Sequence, residues 1–169
     1  MIPHNRPTFD QMEAAAASRV LSSGWVAQCS ETRAFEDELC EFLGIPEGHA
    51  IAVSSGSAAL YLALWVLGGE SKRIGLPVYA CAALRNAVNL IGGKEVYLDC
   101  ARNSPNIDMS AIDQRSIDIL IAPSIFGIPV RFTANQDFKV IEDIAQSLGA
   151  VSNGKRIGLR GDVGICSFY

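Results

Sequence analysis

Hydrophobic and polar positions change rhythm once along this chain, near residue 46. Before that point they follow a helical period. Thr8-Phe9-Asp10-Gln11 has capping-box spacing and opens an alanine-rich run over 12–21, which Ser22-Ser23-Gly24 ends. A second helix is expected over 31–43, where Phe35, Leu39, Phe42 and Leu43 make one apolar stripe before Gly44 and Pro46 stop it. After residue 46, short apolar runs at 50–53, 73–76, 95–98, 117–122, 139–141 and 163–167 predict strands, with helices over 58–67 and 82–91. Strand, helix, strand at this spacing means βαβ units. The expected fold class is therefore α/β: a three-layer, mostly parallel sheet with helices on both faces, preceded by N-terminal helices. Near-continuous apolar runs fit strands covered on both sides. The expected division is a helical segment over 1–46 and a sheet domain over 47–169.

In such sheets ligands gather at the carboxyl ends of the strands. Residues 54–57, 77–81, 123–126, 143–146 and Ser167 all fall at such ends, which makes them one candidate site. Ser55-Gly56-Ser57-Ala58 opens a helix directly after a predicted strand. Gly56 lets the backbone approach a ligand, the helix start offers unpaired N–H groups, and Ser57 adds a hydroxyl, which together suit a phosphate. The competing reading is an ordinary serine N-cap. Neither G-K-[ST] nor G-x-G-x-x-G is present.

Asp143 ends an apolar strand. A carboxylate there would hold a pyridine nitrogen protonated and so make the ring an electron sink. Gln146, three residues on, is placed for a ring substituent. The same acid also suits a helix N-cap, Mg²⁺ or a ribose hydroxyl, which leaves an unrelated Mg²⁺-dependent phosphotransfer domain open at this point. Ser167 is either a second phosphate contact or an exit-turn serine. Tyr79 and Trp25 are candidate ligand-facing aromatics, or core.

Composition narrows the classes. The length of 169 residues fits one domain, and 49% hydrophobic with 19% charged residues supports a packed core. A net charge of −4 without a basic run argues against nucleic acid or an anionic membrane as partner. No apolar stretch approaches the roughly 20 residues of a membrane helix. The N-terminus lacks the apolar core of a signal peptide, so a cytoplasmic location is expected. Five cysteines without C-x-x-C indicate neither a disulfide framework nor a zinc site, and two histidines far apart give little support to a histidine-based metal site or a Ser-His pair.

Several motifs in order resemble the DegT–DnrJ–StrS family of PLP-dependent sugar-nucleotide aminotransferases, of fold-type I (aspartate aminotransferase-like) architecture. They are Ile2-Pro3 through Arg6-Pro7, Leu21-Ser22-Ser23-Gly24-Trp25, Phe35-Glu36 through Phe42-Leu43-Gly44, Val53-Ser54-Ser55-Gly56-Ser57-Ala58-Ala59-Leu60, Ile141-Glu142-Asp143 with Ala145-Gln146 and Leu148-Gly149-Ala150, and Gly158 with Gly161-Asp162-Val163-Gly164 and Ser167-Phe168. The resemblance implies pyridoxal 5'-phosphate (PLP) as cofactor. Gly56, Ser57, Ala58 and Ser167 would hold its phosphate, Asp143 its pyridinium nitrogen, and Gln146 the oxygen side of its ring. Cys81 stands where family members commonly stack an aromatic ring on the cofactor, although some carry a Y-T-C pattern there. Trp25 and Tyr79 would face substrate.

The implied reaction moves an amino group from an amino acid, usually glutamate, to a keto-sugar nucleotide, in a homodimer. Removing Asp143 is expected to cost more activity than removing Glu142. The family's Schiff-base lysine would fall three positions beyond Tyr169, and Lys72, Lys94, Lys139 and Lys155 do not match its motif. The small C-terminal domain and the seventh strand of the sheet would follow it. The resemblance thus makes 47–169 a partial large domain. The chain alone is expected to lack activity and, with strand 50–53 short of a neighbour, to be marginally soluble. Two alternatives stay open: a sugar dehydratase, in which histidine replaces that lysine, and a non-catalytic domain that binds PLP or a sugar nucleotide.

Overall fold

The computed structural model describes residues 7–133 and 136–168. The resemblance at 2–6 and Tyr169 lie outside the described residues. The chain separates into two compact units, Met1–Ala52 and Val53–Tyr169.

The first unit carries helices α1 (Gln11–Ser23) and α2 (Ser30–Leu43). Helix α1 is capped by Asp10, two residues beyond the Thr8 start that the spacing suggests. Asp10 Oδ1 accepts the Met12 N–H at 2.7 Å, and the Asp10 N–H donates to Glu13 at 2.7 Å. A carboxylate is the stronger acceptor at the positive end of a helix, which favours this box over the threonine one. Gly24 and Gly44 end the two helices in the left-handed conformation, at φ 74° and 75°, where a side chain would be strained. Arg19 of α1 forks onto the Glu31 carboxylate of α2 at 2.8 and 2.9 Å. The predicted stripe on α2 is only partly covered: Leu39 and Leu43 are half-buried, Phe35 and Phe42 are 40% and 43% exposed, and the helix's buried residue is Cys40, outside the stripe.

The second unit begins with helix α3 (Gly56–Val66) and alternates β1 (Arg73–Pro77), α4 (Ala82–Leu90) and β2 (Lys94–Leu98). Strands β3 (Ile119–Pro123), β4 (Lys139–Asp143), β5 (Val151–Ser152), β6 (Lys155–Arg156) and β7 (Val163–Ile165) follow. Five strands form one parallel sheet in the order β2-β1-β3-β4-β7.

Five of the six predicted strands are present with ends moved by a few residues. The sixth, at 50–53, is not a strand, and Ile51 is 79% exposed. An extended segment becomes a strand only by pairing its N–H and C=O groups, and no described strand lies beside this one. A two-residue hairpin, β5–β6, was not anticipated. Its turn is Asn153-Gly154, both at positive φ (53° and 74°), the pairing that type I′ hairpins prefer.

Alternation along the strands assigns the two faces. Ile74, Leu76, Ile119, Ile121, Ile141 and Ile165 point to one face and pack under Leu60, Leu64, Leu84 and Val88 of α3 and α4. Leu120, Ala122 and Val140 point to the other, against Ile107, Met109, Ile112, Val130 and Phe138. That second layer is built from the 3₁₀ turn Met109–Ala111 and irregular segments rather than long helices. Coverage on both faces accounts for the unbroken apolar run Ile119–Pro123, where all five residues are buried. Among the described residues no helix is long and apolar enough to cross a membrane.

Arg73, at the start of β1, fastens this strand to the approach of β3. Its guanidinium donates to Asp118 at 2.9 and 3.1 Å, and its backbone N–H adds a contact at 2.8 Å. These hydrogen bonds hold the Asp118 carboxyl well below the usual carboxylate range. A depressed folded pKa means stability that is present above the unfolded value, near about 3.9, and lost as pH falls through the folded one. Asp118→Asn should therefore lower Tm at pH 7, and its gap from the wild type should close as thermal melts are taken below about pH 4.

Candidate cofactor site at the carboxyl ends of the strands

The pairing of β4 with β7 assembles the site. Asp143 ends β4, in register with Pro123 of β3 and Ile165 of β7. It shares the face of Ile141, the face that α3 covers. Asp143 is 7% exposed. Among the described residues its carboxylate accepts one hydrogen bond, from the Ala145 N–H to Oδ1 at 3.0 Å, and Oδ2 accepts none. Burial raises its pKa, and the Ala145 N–H offsets this only in part. A buried carboxylate with one oxygen uncommitted is a ready partner for a cation. The Cys166 thiol, the next residue after β7, is pushed up first by burial and then by the charge of Asp143.

One residue further, Ser167 meets the start of α3. A Cβ built on Gly56 would stand 3.1 Å from Ser167 Cβ and 3.2 Å from its Oγ. The two candidate phosphate contacts, distant in sequence, are thus packed against each other. The serine N-cap is real as well: Ser55 Oγ accepts the Ala58 N–H at 3.1 Å. Ala58, expected to hold phosphate through its amide, therefore has that amide committed within the turn. Among the described residues the Gly56 and Ser57 amides donate to nothing, and Ser57 is exposed. An anion at this turn would meet those two amides and the hydroxyls of Ser57 and Ser167.

On the other side of Asp143, Gln146 Oε1 accepts the Phe126 N–H at 3.0 Å. This fixes the amide's orientation and leaves Nε2 as its outward donor. Phe126 adopts a left-handed backbone (φ 56°, ψ 32°), unusual for a bulky residue. Its ring lies 6.4 Å from that of Tyr79 at 59°, and the two are 65% and 55% exposed. Cys81 is exposed at the N-cap of α4 and lines a separate hollow of about 320 Å³ with Val78, Arg85 and Tyr97 among others. Trp25 belongs to the first unit, 72% exposed, in a hollow of about 500 Å³ shared with Arg19 and Cys29. Within the second unit, then, Gly56 is packed on Ser167, Gln146 on Phe126, and Asp143 on the strand that leads to Ser167.

Sequence reasoning located 123–126 at a strand end but gave Phe126 no role, and it treated Glu142 only as a foil for Asp143. A signal for Glu142 was present: adjacent acids in a strand face opposite sides, so an acid turned to a covered face must have donors there.

The second unit is a parallel α/β sheet with a buried acid at the end of β4 and a helix start with two uncommitted amides against Ser167. The chain belongs to the DegT/DnrJ/EryC1/StrS aminotransferase family, whose sequence profile matches residues 7–169. It is similar in structure to the aminotransferase TlmJ from Streptoalloteichus hindustanus, with a TM-score of 0.91 and 26% identity over 100% of this chain and 49% of that one. An aminotransferase from Psychrobacter cryohalolentis matches with a TM-score of 0.85 and 30% identity over 98% and 45%. An E. coli GDP-4-keto-6-deoxy-D-mannose-3-dehydratase with bound hydrated PLP shares the fold, with a TM-score of 0.85 and 24% identity over 94% and 44%. The chain spans about half the length of these solved relatives.

Proposed function

We propose that these residues form the cofactor cradle of a PLP-dependent aminotransferase that moves an amino group from glutamate, or another amino acid, to a keto-sugar nucleotide. The observation that carries this is the pairing of β4 with β7, which sets the uncommitted Asp143 carboxylate near the strand exit where Ser167 meets Gly56. When bound, the cofactor supplies the electron sink for the carbon chemistry. Asp143 would hold the pyridinium proton, and Gln146 Nε2 would donate to the ring oxygen. The Gly56 and Ser57 amides with the Ser57 and Ser167 hydroxyls would hold the phosphate. Tyr79 would border the opening of the cradle in a homodimer, while Cys81, in a hollow of its own, and Trp25, in the first unit, are given no part in it.

Titration of PLP into the protein tests this reading. Gly56→Ala would press on Ser167, because its new Cβ stands 3.1 Å from Ser167 Cβ. At this first helical position the interior preference for alanine, up to about 1 kcal/mol, applies only in part and offsets some of that pressure. The variant should therefore bind PLP about tenfold more weakly, the loss of roughly one phosphate hydrogen bond, while its Tm changes little. Unchanged affinity would remove the phosphate turn from the site.

A further inference from the structure

We infer that Glu142 is a positioning residue for the phosphate end of this site, an inference that rests on the function proposed above. Glu142 is 2% exposed and lies one residue before Asp143, on the opposite face of β4. Its carboxylate touches no part of the cradle. Oε1 accepts the N–H groups of Arg160 and Gly161, the latter at 2.7 Å, and Oε2 accepts the Gly158 N–H at 3.0 Å. All three donors belong to the turn that feeds β7. Asp162 closes the clamp from the other side: its carboxylate accepts the Val140 N–H at 2.9 Å and Lys139 Nζ at 2.7 Å, and its own N–H donates to Val140 O at 2.8 Å.

The turn has no slack against β4. A Cβ on Gly161 would stand 2.6 Å from Val140 O, and one on Gly158 (φ 89°) would stand 2.9 Å from Ile144 Cδ1. Beyond the clamp, β7 has only three residues, and among the described residues it pairs with β4 alone. With Ile165 as its one buried residue, so short a pairing shares the setting of its register with the turn before it. The position of Ser167 against Gly56 is therefore set upstream, where Glu142 fixes the turn. A one-residue slip would reverse every side chain of β7 and carry the Ser167 hydroxyl away from Gly56. Glu142 thus acts on the phosphate contact through the turn, β7 and Ser167, whereas Asp143 acts on the ring directly.

PLP and its phosphate-free counterpart pyridoxal separate these roles, each titrated by calorimetry into wild type and variant and compared as a ratio. Glu142→Gln keeps the side-chain shape but turns an NH₂ group toward backbone N–H donors, so the clamp loses an acceptor. It should weaken PLP about tenfold while pyridoxal changes by no more than about twofold. Asp143→Asn should weaken both. A merely structural role for Glu142 would lower both affinities alike, or neither, and either pattern overturns the inference. Where Glu142→Gln does not yield folded protein, Asp162→Asn opens the other arm of the clamp and is held to the same two-ligand pattern. Wild-type protein that binds neither PLP nor pyridoxal overturns the proposed function itself, and wild-type binding without the phosphate-selective loss overturns this inference alone.

Discussion

Asp143→Asn should abolish most activity of the whole enzyme and at the same time raise the melting temperature of the ligand-free protein. Both effects follow from one carboxylate. Burial raises the Asp143 pKa in the fold, so folding favours its protonated form. The stability linked to this group is fully present below the unfolded pKa, near about 3.9, and is lost as pH rises through the folded value. Wherever the carboxylate is ionised it therefore opposes folding. Asparagine removes that charge and can still accept the Ala145 N–H that Oδ1 now takes at 3.0 Å. The variant's advantage in Tm should be largest near neutrality and shrink as pH falls toward about 4. Activity should fall by about 10²–10³-fold, the usual cost of removing one preorganised electrostatic group. Wild-type affinity for PLP should rise with pH more steeply than that of the asparagine variant, which keeps only the pH dependence of the ligand's own phosphate. Thermal melts and binding isotherms across pH check all three. A variant that melts lower at pH 7, or keeps wild-type turnover, removes Asp143 from the role proposed for it.

Glu142→Ala should give the largest loss of stability among these substitutions. Its carboxylate serves three backbone N–H groups from a position 2% exposed to solvent. Truncation leaves those donors without their acceptor and the turn without its anchor, at a cost on the order of 3–5 kcal/mol. Urea denaturation should show a lower midpoint with little change in slope. The sequence ranks Asp143 above Glu142 for activity, and the hydrogen bonds rank them the other way for stability. A midpoint within a few tenths molar of wild type would mean that the turn holds itself.

Much of this arrangement was legible before any coordinates. The alternation of apolar runs and helical segments predicts a parallel sheet because strands buried on both faces need near-continuous hydrophobic sequence. Asp143, Gln146 and Ser167 cluster for a related reason, since parallel strands deliver their carboxyl ends to one edge, and Gly56 joins them through its contact with Ser167. What escaped reading depends on partners that local sequence does not encode. Residues 50–53 look like a strand by composition, yet pairing decides the matter and no described strand lies beside them. The start of α1 moved from Thr8 to Asp10 because two capping boxes compete and the charged acceptor prevails. The strained backbone of Phe126 has no sequence signature, since its conformation is held by the Gln146 side chain twenty residues away. The commitment of the Ala58 amide to Ser55 is likewise invisible in a motif that suits a cap and an anion equally well.

The contact between Gly56 and Ser167 joins nearly the two ends of the second unit. Such a closure is the slowest kind for a chain to find, because loop entropy must be overcome before the contact rewards it. On the ribosome, the turn proposed to bind the anion would emerge early and wait through most of the unit's synthesis for the serine that meets it. Vitamin loading would then follow closure of this unit rather than assist it, and nascent chains released before Ser167 would hold the cofactor more loosely.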